Sequence, residues 1–325
     1  MKTKNKVGKI LGKWGILIAI AAAFLFFSIM APRAFLSVDN FITILRSISI
    51  TSVVAMGATI GFAAGVFDLS FASLATLGAA FSVTFIAWFN MPMPVALLAT
   101  ILSCIVVGLI NSVVVVKFHV TAFLATLAMS FIIDGFILTY SGGALINPKI
   151  DSANGMKVVR QIPEAFWNLG KSPYIIIIMF LCVLLVELFL TYTKHGRILY
   201  IVGSSPAAAR LSGINVGKYT SVAFVCTAVF SAIGGILIAS RAGTVQSTAG
   251  SSFLMPSIAA ANIGFSLGGR GKANALGTFV GAALVGIVEN GLYAMAFPYY
   301  SINIVKGIIL MGALIMSGLS VRSQD

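Results

Sequence analysis

Ten stretches of the chain are apolar for most of a membrane-crossing length: 15–31, 44–66, 70–89, 94–116, 120–140, 173–193, 219–240, 252–268, 273–296 and 301–318. A helix needs about 20 mostly apolar residues to cross the hydrocarbon layer, where no water can satisfy an exposed backbone. A chain with so many such runs has few folds open to it. We expect an all-α polytopic membrane protein of about ten transmembrane helices, forming a single transmembrane domain over residues 1–325. Composition agrees, with 59% of the 325 residues apolar and 9% charged, and a mean hydropathy of +1.05. A soluble fold could not wet its exterior with so little charge. Soluble enzymes and disordered chains are therefore excluded. The eighth run is short and rich in Ala, Gly and Ser, and the ninth opens on glycines. Both read as broken or buried rather than lipid-facing.

The net charge is +13. In a membrane chain this points to cytoplasmic loops touching lipid head groups, not to nucleic acid. With the N-terminus inside, the lysines from Lys2 to Lys13, and Lys194, Arg197, Arg210 and Lys218, all fall inside. Both termini are thus expected in the cytoplasm. The lysines before Gly15 resemble the start of a signal peptide, but Ala31-Pro32-Arg33 is a poor cleavage site. We read an uncleaved first helix. Cys104, Cys182 and Cys226 sit in apolar runs without metal or redox spacing, as buried small hydrophobes do.

Two connections are long enough to form structure. Residues 141–172 are expected outside, with Phe166 and Trp167 on a short interfacial helix after Pro163. Residues 194–218 are expected inside. Gly57, Gly61 and Gly65 share a helix face, as do Gly277 and Gly281, which reads as close helix packing. Spans two to five and seven to ten form two sets of four, an arrangement consistent with inverted repeats around a central pathway.

Ionisable residues inside a membrane are costly and tend to be functional. Asp68, followed by Ser70, lies between spans two and three, either as a pathway or gate residue or as a helix cap. Asp134 and Glu187 lie within spans and read as interhelical partners or as lining of a water-filled path. Glu289 precedes Asn290, with Tyr293 one turn on. That acid, amide and phenol would hydrogen-bond either a polar solute or a neighbouring helix. His119 and His195 sit at helix ends beside lysines, and no nucleophile–base pair, metal cluster or phosphate-binding loop is present. No catalytic residue, metal or cofactor is expected.

The stretch 203–216 is the most informative. Ser205 suits an N-cap, Pro206 the first helical position, and Gly213 the position just past a helix end. So short a helix is unstable alone in water, so it must dock on a partner or on its own spans. Leu211 and Ile214 are its apolar anchors and Arg210 its polar one.

Several motifs occur in a recognisable order. They are the stretch from His195 through Gly203 followed by Ala207 to Ile214, Asp68-Leu69-Ser70 with Ser73, and Phe123-Leu124-Ala125-Thr126-Leu127. Ser240-Arg241, Ile258-Ala259-Ala260, Gly269-Arg270-Gly271, Gly277-Thr278 and Asn290-Gly291-Leu292 follow. In these, over roughly 40–318, the chain resembles the permease subunits of ABC importers for sugars, the ribose-type permeases. It departs from them in having Phe67 and Phe71 around Asp68, Leu254-Met255-Pro256 before Ile258, and Gly264-Phe265-Ser266. The resemblance implies the fold of the vitamin B12 importers and the plasma membrane of a prokaryote. It implies a second permease subunit, ATP-binding subunits on the cytoplasmic face, and an extracytoplasmic solute-binding protein. The helix at 205–213 would be the coupling helix, with Ala208, Arg210, Leu211 and Gly213 against the ATPase. Asp68, Ser70, Glu289 and Asn290 are the candidate pathway residues. Nucleosides and branched-chain amino acids are alternative solutes, and an ion-driven carrier using Asp134, Glu187 or Glu289 is an alternative class.

Overall fold

The bundle is assembled from helices whose ends are closed locally. Ser37 Oγ accepts from the Asn40 N–H at 3.2 Å and Asp39 lies in the first turn, so the helix from Val38 starts with a satisfied, favourably charged end. The computed structural model describes residues 2–147, 162–266 and 272–298, with 304–305, 307–308 and 311 beyond them, and side chains from Gly15 onward. The helices are α1 (Lys2–Met30), α2 (Pro32–Phe35), α3 (Val38–Ala63), α4 (Phe71–Ala87), α5 (Met93–Val116), α6 (Ala122–Ser141) and α7 (Glu164–Leu169). They continue with α8 (Tyr174–Tyr192), α9 (Lys194–Ser204), α10 (Pro206–Leu211), α11 (Val216–Ala242), α12 (Leu254–Ser266) and α13 (Ala275–Ala294). Among the described residues the β structure is one antiparallel bridge, Ile146 to Val245.

Helices α3, α5, α6, α8, α11 and α13 are long and apolar enough to cross a membrane. The apolar part of α1 and the whole of α4 are shorter, and α12 has 13 residues. Most of run 301–318 and the whole Gly269-Arg270-Gly271 segment lie outside the described residues. The expectation of ten full-length spans is thus met by six among the described residues. The reason for the shortfall at α4 is physical. Its 17 residues span about 26 Å, but all except Phe81 and Phe85 are buried. A helix apolar on every side and wrapped by protein need not match the bilayer.

The core is layered around α11, which packs on α4, α3 and α5, while α12 and α13 pack together and against α3. Helices α5, α6 and α8 turn most of their apolar surface outward. Glycine and alanine let the inner backbones approach closely. A Cβ at Gly235 would meet the Ala75 carbonyl and the Ala79 N–H of α4. Hydroxyls add interhelical bonds: Thr59 to Thr278 at 2.8 Å, Thr227 to the Gly57 carbonyl at 3.1 Å, and Ser112 to Ser221 at 2.6 Å. Such bonds contribute on average about 0.6 kcal/mol each inside membranes. The glycine pair of α13 packs as expected, Gly277 on Gly264 and Gly281 on Ala260. The stripe on α3 does not continue, because α3 ends at Ala63 and Gly65 turns away with φ +71°.

One end of the bundle gathers α9, α10, the connector 64–70 and the start of α13. The opposite end carries α7 and the Ile146–Val245 bridge. The short helix after Pro163 is there as α7, but Phe166 is buried in protein against α8 and α11 rather than turned to a bilayer interface. Most of the remaining 141–172 connection, 148–161, lies outside the described residues.

Glu187 takes the first of its two expected roles, as a partner between helices α8 and α13. Its Oε2 accepts from the backbone N–H groups of Ala275 and Leu276 at 3.1 and 3.3 Å, and its Oε1 accepts from Thr191 at 3.0 Å. Asn274 Oδ1 accepts from Gly277 at 2.6 Å. Three first-turn donors of α13 are thereby satisfied, with a carboxylate at the positive end of the helix dipole.

Candidate functional site

The 194–218 segment is more helical than its sequence suggests. Thr193 caps α9 by accepting from Gly196 at 3.0 Å. The helix is held on three sides. His195 Nδ1 and the Tyr219 hydroxyl lie 3.1 Å apart, Tyr200 donates to the Ala273 carbonyl at 2.5 Å, and Gly203 meets Gly65 backbone to backbone. α9 is thus a fixed shelf, and α10 leaves its end.

α10 closes itself as its residues predict. Ser205 Oγ accepts from Ala208 at 3.2 Å and Pro206 opens the first turn. At the exit Gly213 donates to the Arg210 carbonyl at 3.0 Å and Ile214 to the Ala209 carbonyl at 2.9 Å, with Gly213 at φ +75°. This pair of bonds is the Schellman closure, which requires a left-handed residue where glycine sits. Ala209 is the one residue of α10 turned inward. Ala208 and Arg210 are exposed, and Leu211 is 92% exposed. Of the two apolar anchors, Ile214 is half-buried against the chain's own core, whereas Leu211 does not pack on it.

The connector 64–70 carries Asp68 and Ser70, both buried. Neither caps α4 in the expected manner, since Ser70 occupies the cap position without a side-chain bond to the helix. Instead Asp68 Oδ1 accepts from the Ser70 N–H at 2.8 Å and from its hydroxyl at 2.7 Å. Asn111 Nδ2 of α5 donates to Ser70 Oγ at 2.9 Å, and the Leu69 N–H donates to Thr126 Oγ1 of α6 at 2.9 Å. Phe67 stacks on Phe62 and contacts Phe123. The sequence reading missed Asn111. A lone amide within an apolar run was the signal that could have found it.

Burial pushes the Asp68 carboxyl up to about 6, against the two Ser70 hydrogen bonds that pull it down. The folded chain then holds this proton more tightly than an unfolded chain titrating near 3.8. Stability should therefore fall as pH rises from about that value to about 6, and stay lowered above it. Asp68→Asn keeps an acceptor for Ser70 and removes the charge. Melting curves of the variant should lose the acid-range step and match or exceed wild type at neutral pH. A step that survives the substitution would assign it to another group.

Glu289 and Asn290 lie toward the other end, away from Asp68. Glu289 is half-buried, and its charge is felt by Tyr293 and by Arg241 in the last turn of α11, with Arg46 of α3 in range of the same arginine. Asn290 is buried, with its Oδ1 lacking a hydrogen-bond partner, as does the buried Nε of Arg46. The acid and the phenol do share a neighbourhood, and two arginines join them from other helices. Asp134 of α6 faces Ser73 of α4. The four pathway candidates thus form two separate groups. Between α9, the end of α3 and the α12–α13 connection lies a cavity of about 450 Å³ lined by Arg197, Lys272, Tyr200, Phe62 and Phe265.

A bundle of membrane-length apolar helices around a small-residue core, with a buried acid and buried hydroxyls in its interior and a capped helix offered to solvent at one end, is the design of a multi-pass membrane permease. Residues 40–314 match the family model described as "Branched-chain amino acid transport system / permease component", and the chain belongs to that family. It is 29% identical over 306 residues to the ribose import permease protein RbsC of Escherichia coli K12, covering 92% of each chain. The protein of that name from Haemophilus influenzae is 29% identical over 97% of this chain and 96% of its own. The autoinducer 2 import system permease protein LsrD of Escherichia coli K12 is 29% identical over 84% and 82%. No solved structure matches.

Proposed function

We propose that this chain forms the translocation pathway of an ABC importer for a sugar or similar small polar solute, with ATP hydrolysed by separate subunits. The observation that carries this reading is Leu211, an apolar side chain 92% exposed on a helix capped at both ends. Left in water it costs stability, and a docking groove on an ATP-binding subunit removes that cost. Ala208 and Arg210 flank it and Gly213 fixes the exit angle, so these four residues make the proposed ATPase contact. A sugar is favoured over branched-chain amino acids and nucleosides because the relatives named for a solute are permeases for ribose and autoinducer 2.

The finer architecture belongs to the same reading. It comprises one permease domain, ten spans including 301–318, the fold of the vitamin B12 importers, both termini in the cytoplasm, and the plasma membrane of a prokaryote. A second permease copy and an extracytoplasmic solute-binding protein complete the assembly. Glu289, Asn290 and the nearby arginines line the outer part of the pathway, and Asp68 and Ser70 shape its inner end. Of the three acids an ion-driven carrier could use, Glu187 is withdrawn, its two oxygens already engaged in capping α13 and holding Thr191.

The test is reconstitution in sealed liposomes. The permease alone should accumulate no solute. With its ATPase and binding protein, uptake should require ATP and persist when proton and sodium gradients are collapsed. Accumulation by the single chain, stopped by an ionophore, would overturn the reading, because uphill movement needs a coupled source of free energy.

A further inference from the structure

We infer that the connector 64–70 is the strap through which motion of α10 reaches α6, and that Asn111 and Thr126 are positioning residues for that coupling. The inference rests on the coupling reading of α10.

At one end the strap lies directly on the helix that precedes α10. A Cβ at Gly65 would sit 3.0 Å from the Gly203 Cα, and a Cβ at Gly203 would meet the Ala63 carbonyl and the Gly65 N–H. Two backbones touch with no side chain between them to absorb a displacement. Gly203 stands two residues before Ser205, the cap of α10. At its other end the strap is tied by hydrogen bonds to two helices. Leu69 donates to Thr126 Oγ1 of α6 and Ser70 accepts from Asn111 of α5, both at 2.9 Å. Thr126 is itself anchored to the Ala122 carbonyl at 2.8 Å, so the tie holds the first turn of α6 and not a free side chain.

α6 is the helix best placed to respond. Among the described elements its substantial packing is with α4 and α5, and 22% of its most apolar window is buried. A loosely held helix moves at lower cost than one in the core. The cluster also has unused capacity. Asp68 Oδ2 and Asn111 Oδ1 are buried without a hydrogen-bond partner. Two unsatisfied acceptors beside one tie point to a second arrangement in which they are bonded, as a two-state element requires.

The experiment uses the permease with its ATPase subunits in liposomes, in a background carrying Cys104→Ala, Cys182→Ala and Cys226→Ala. One set places an environment-sensitive fluorophore at Leu124→Cys, an exposed position in the first turn of α6. A parallel set places it at Ser212→Cys, beside α10. A non-hydrolysable ATP analogue should change both signals in the parent. Thr126→Val and Asn111→Leu should reduce the α6 response by roughly 2- to 30-fold, the range for losing a coupling contact, and leave the α10 response intact. Thr126→Ser, which keeps the hydroxyl, should restore it. An α6 response unchanged in both variants would overturn the strap. So would loss of both responses together, which marks a merely structural role. A parent whose α10 label ignores the nucleotide would instead overturn the coupling reading, and the strap with it.

Discussion

Gly213→Val is expected to abolish uptake while leaving the permease in the membrane. A β-branched residue forced to a positive φ costs roughly 1–3 kcal/mol. A Cβ added at Gly213 meets nothing within 4 Å, so the penalty is conformational rather than steric. It falls on a six-residue helix with no stability to spare. The two closing bonds, from Gly213 and Ile214, would open, and Leu211 would lose its fixed direction. Arg210→Glu tests the same surface by another route, since it leaves the backbone alone and reverses the docking charge. Both variants should lose ATPase co-purification and transport together, with membrane levels near wild type. Normal uptake with normal co-purification would remove α10 from the mechanism.

Gly235→Leu should have the larger effect on the fold. The seam between α4 and α11 has no room for a side chain there, because the new Cβ would collide with backbone atoms of Ala75, Ala79 and Gly78. Backbone cannot rotate aside, so the two helices must separate along the whole core. Overpacking costs about 1–3 kcal/mol where side chains can shift, and more where they cannot. We expect little folded protein in a detergent-solubilised size-exclusion profile. Gly135→Leu on α6 is the matched control, since a Cβ added there meets nothing within 4 Å. It should run as wild type. A monodisperse Gly235→Leu protein of normal melting temperature would mean the seam is looser than its geometry implies.

What could be read in advance from the residues was local. α10 was legible to its caps because Ser205, Pro206 and Gly213 act on neighbours within a few positions. The apolar runs were legible because the bilayer acts on each helix separately. What could not be read were the particular partners far along the chain. Glu187 caps a helix that begins 88 residues later, and no pattern around Glu187 announces that. Asp68 was weighed as a cap, but its cluster depends on Asn111 and Thr126, on two other helices. α4 looked like a full span because composition records apolarity and not whether lipid or protein supplies the surroundings, whereas the Ala, Gly and Ser content of the eighth run already marked α12 as short or buried. The split of the pathway candidates into two groups follows from their places along the helices, Asp68 and Ser70 just before α4 and Glu289 and Asn290 near the far end of α13.

The enclosure of α4 constrains how the chain can be made. Its principal neighbour, α11, is synthesised long after α4 has left the ribosome. Until then α4 faces lipid or the insertion machinery with Ser73, Thr76, Ser82 and Thr84 uncovered. Helix insertion and helix assembly are therefore separated in time at the heart of this protein, and the nascent chain must wait with its centre unfinished. A chain interrupted anywhere before Ala242 would leave that centre open, a form that quality-control proteases are suited to remove.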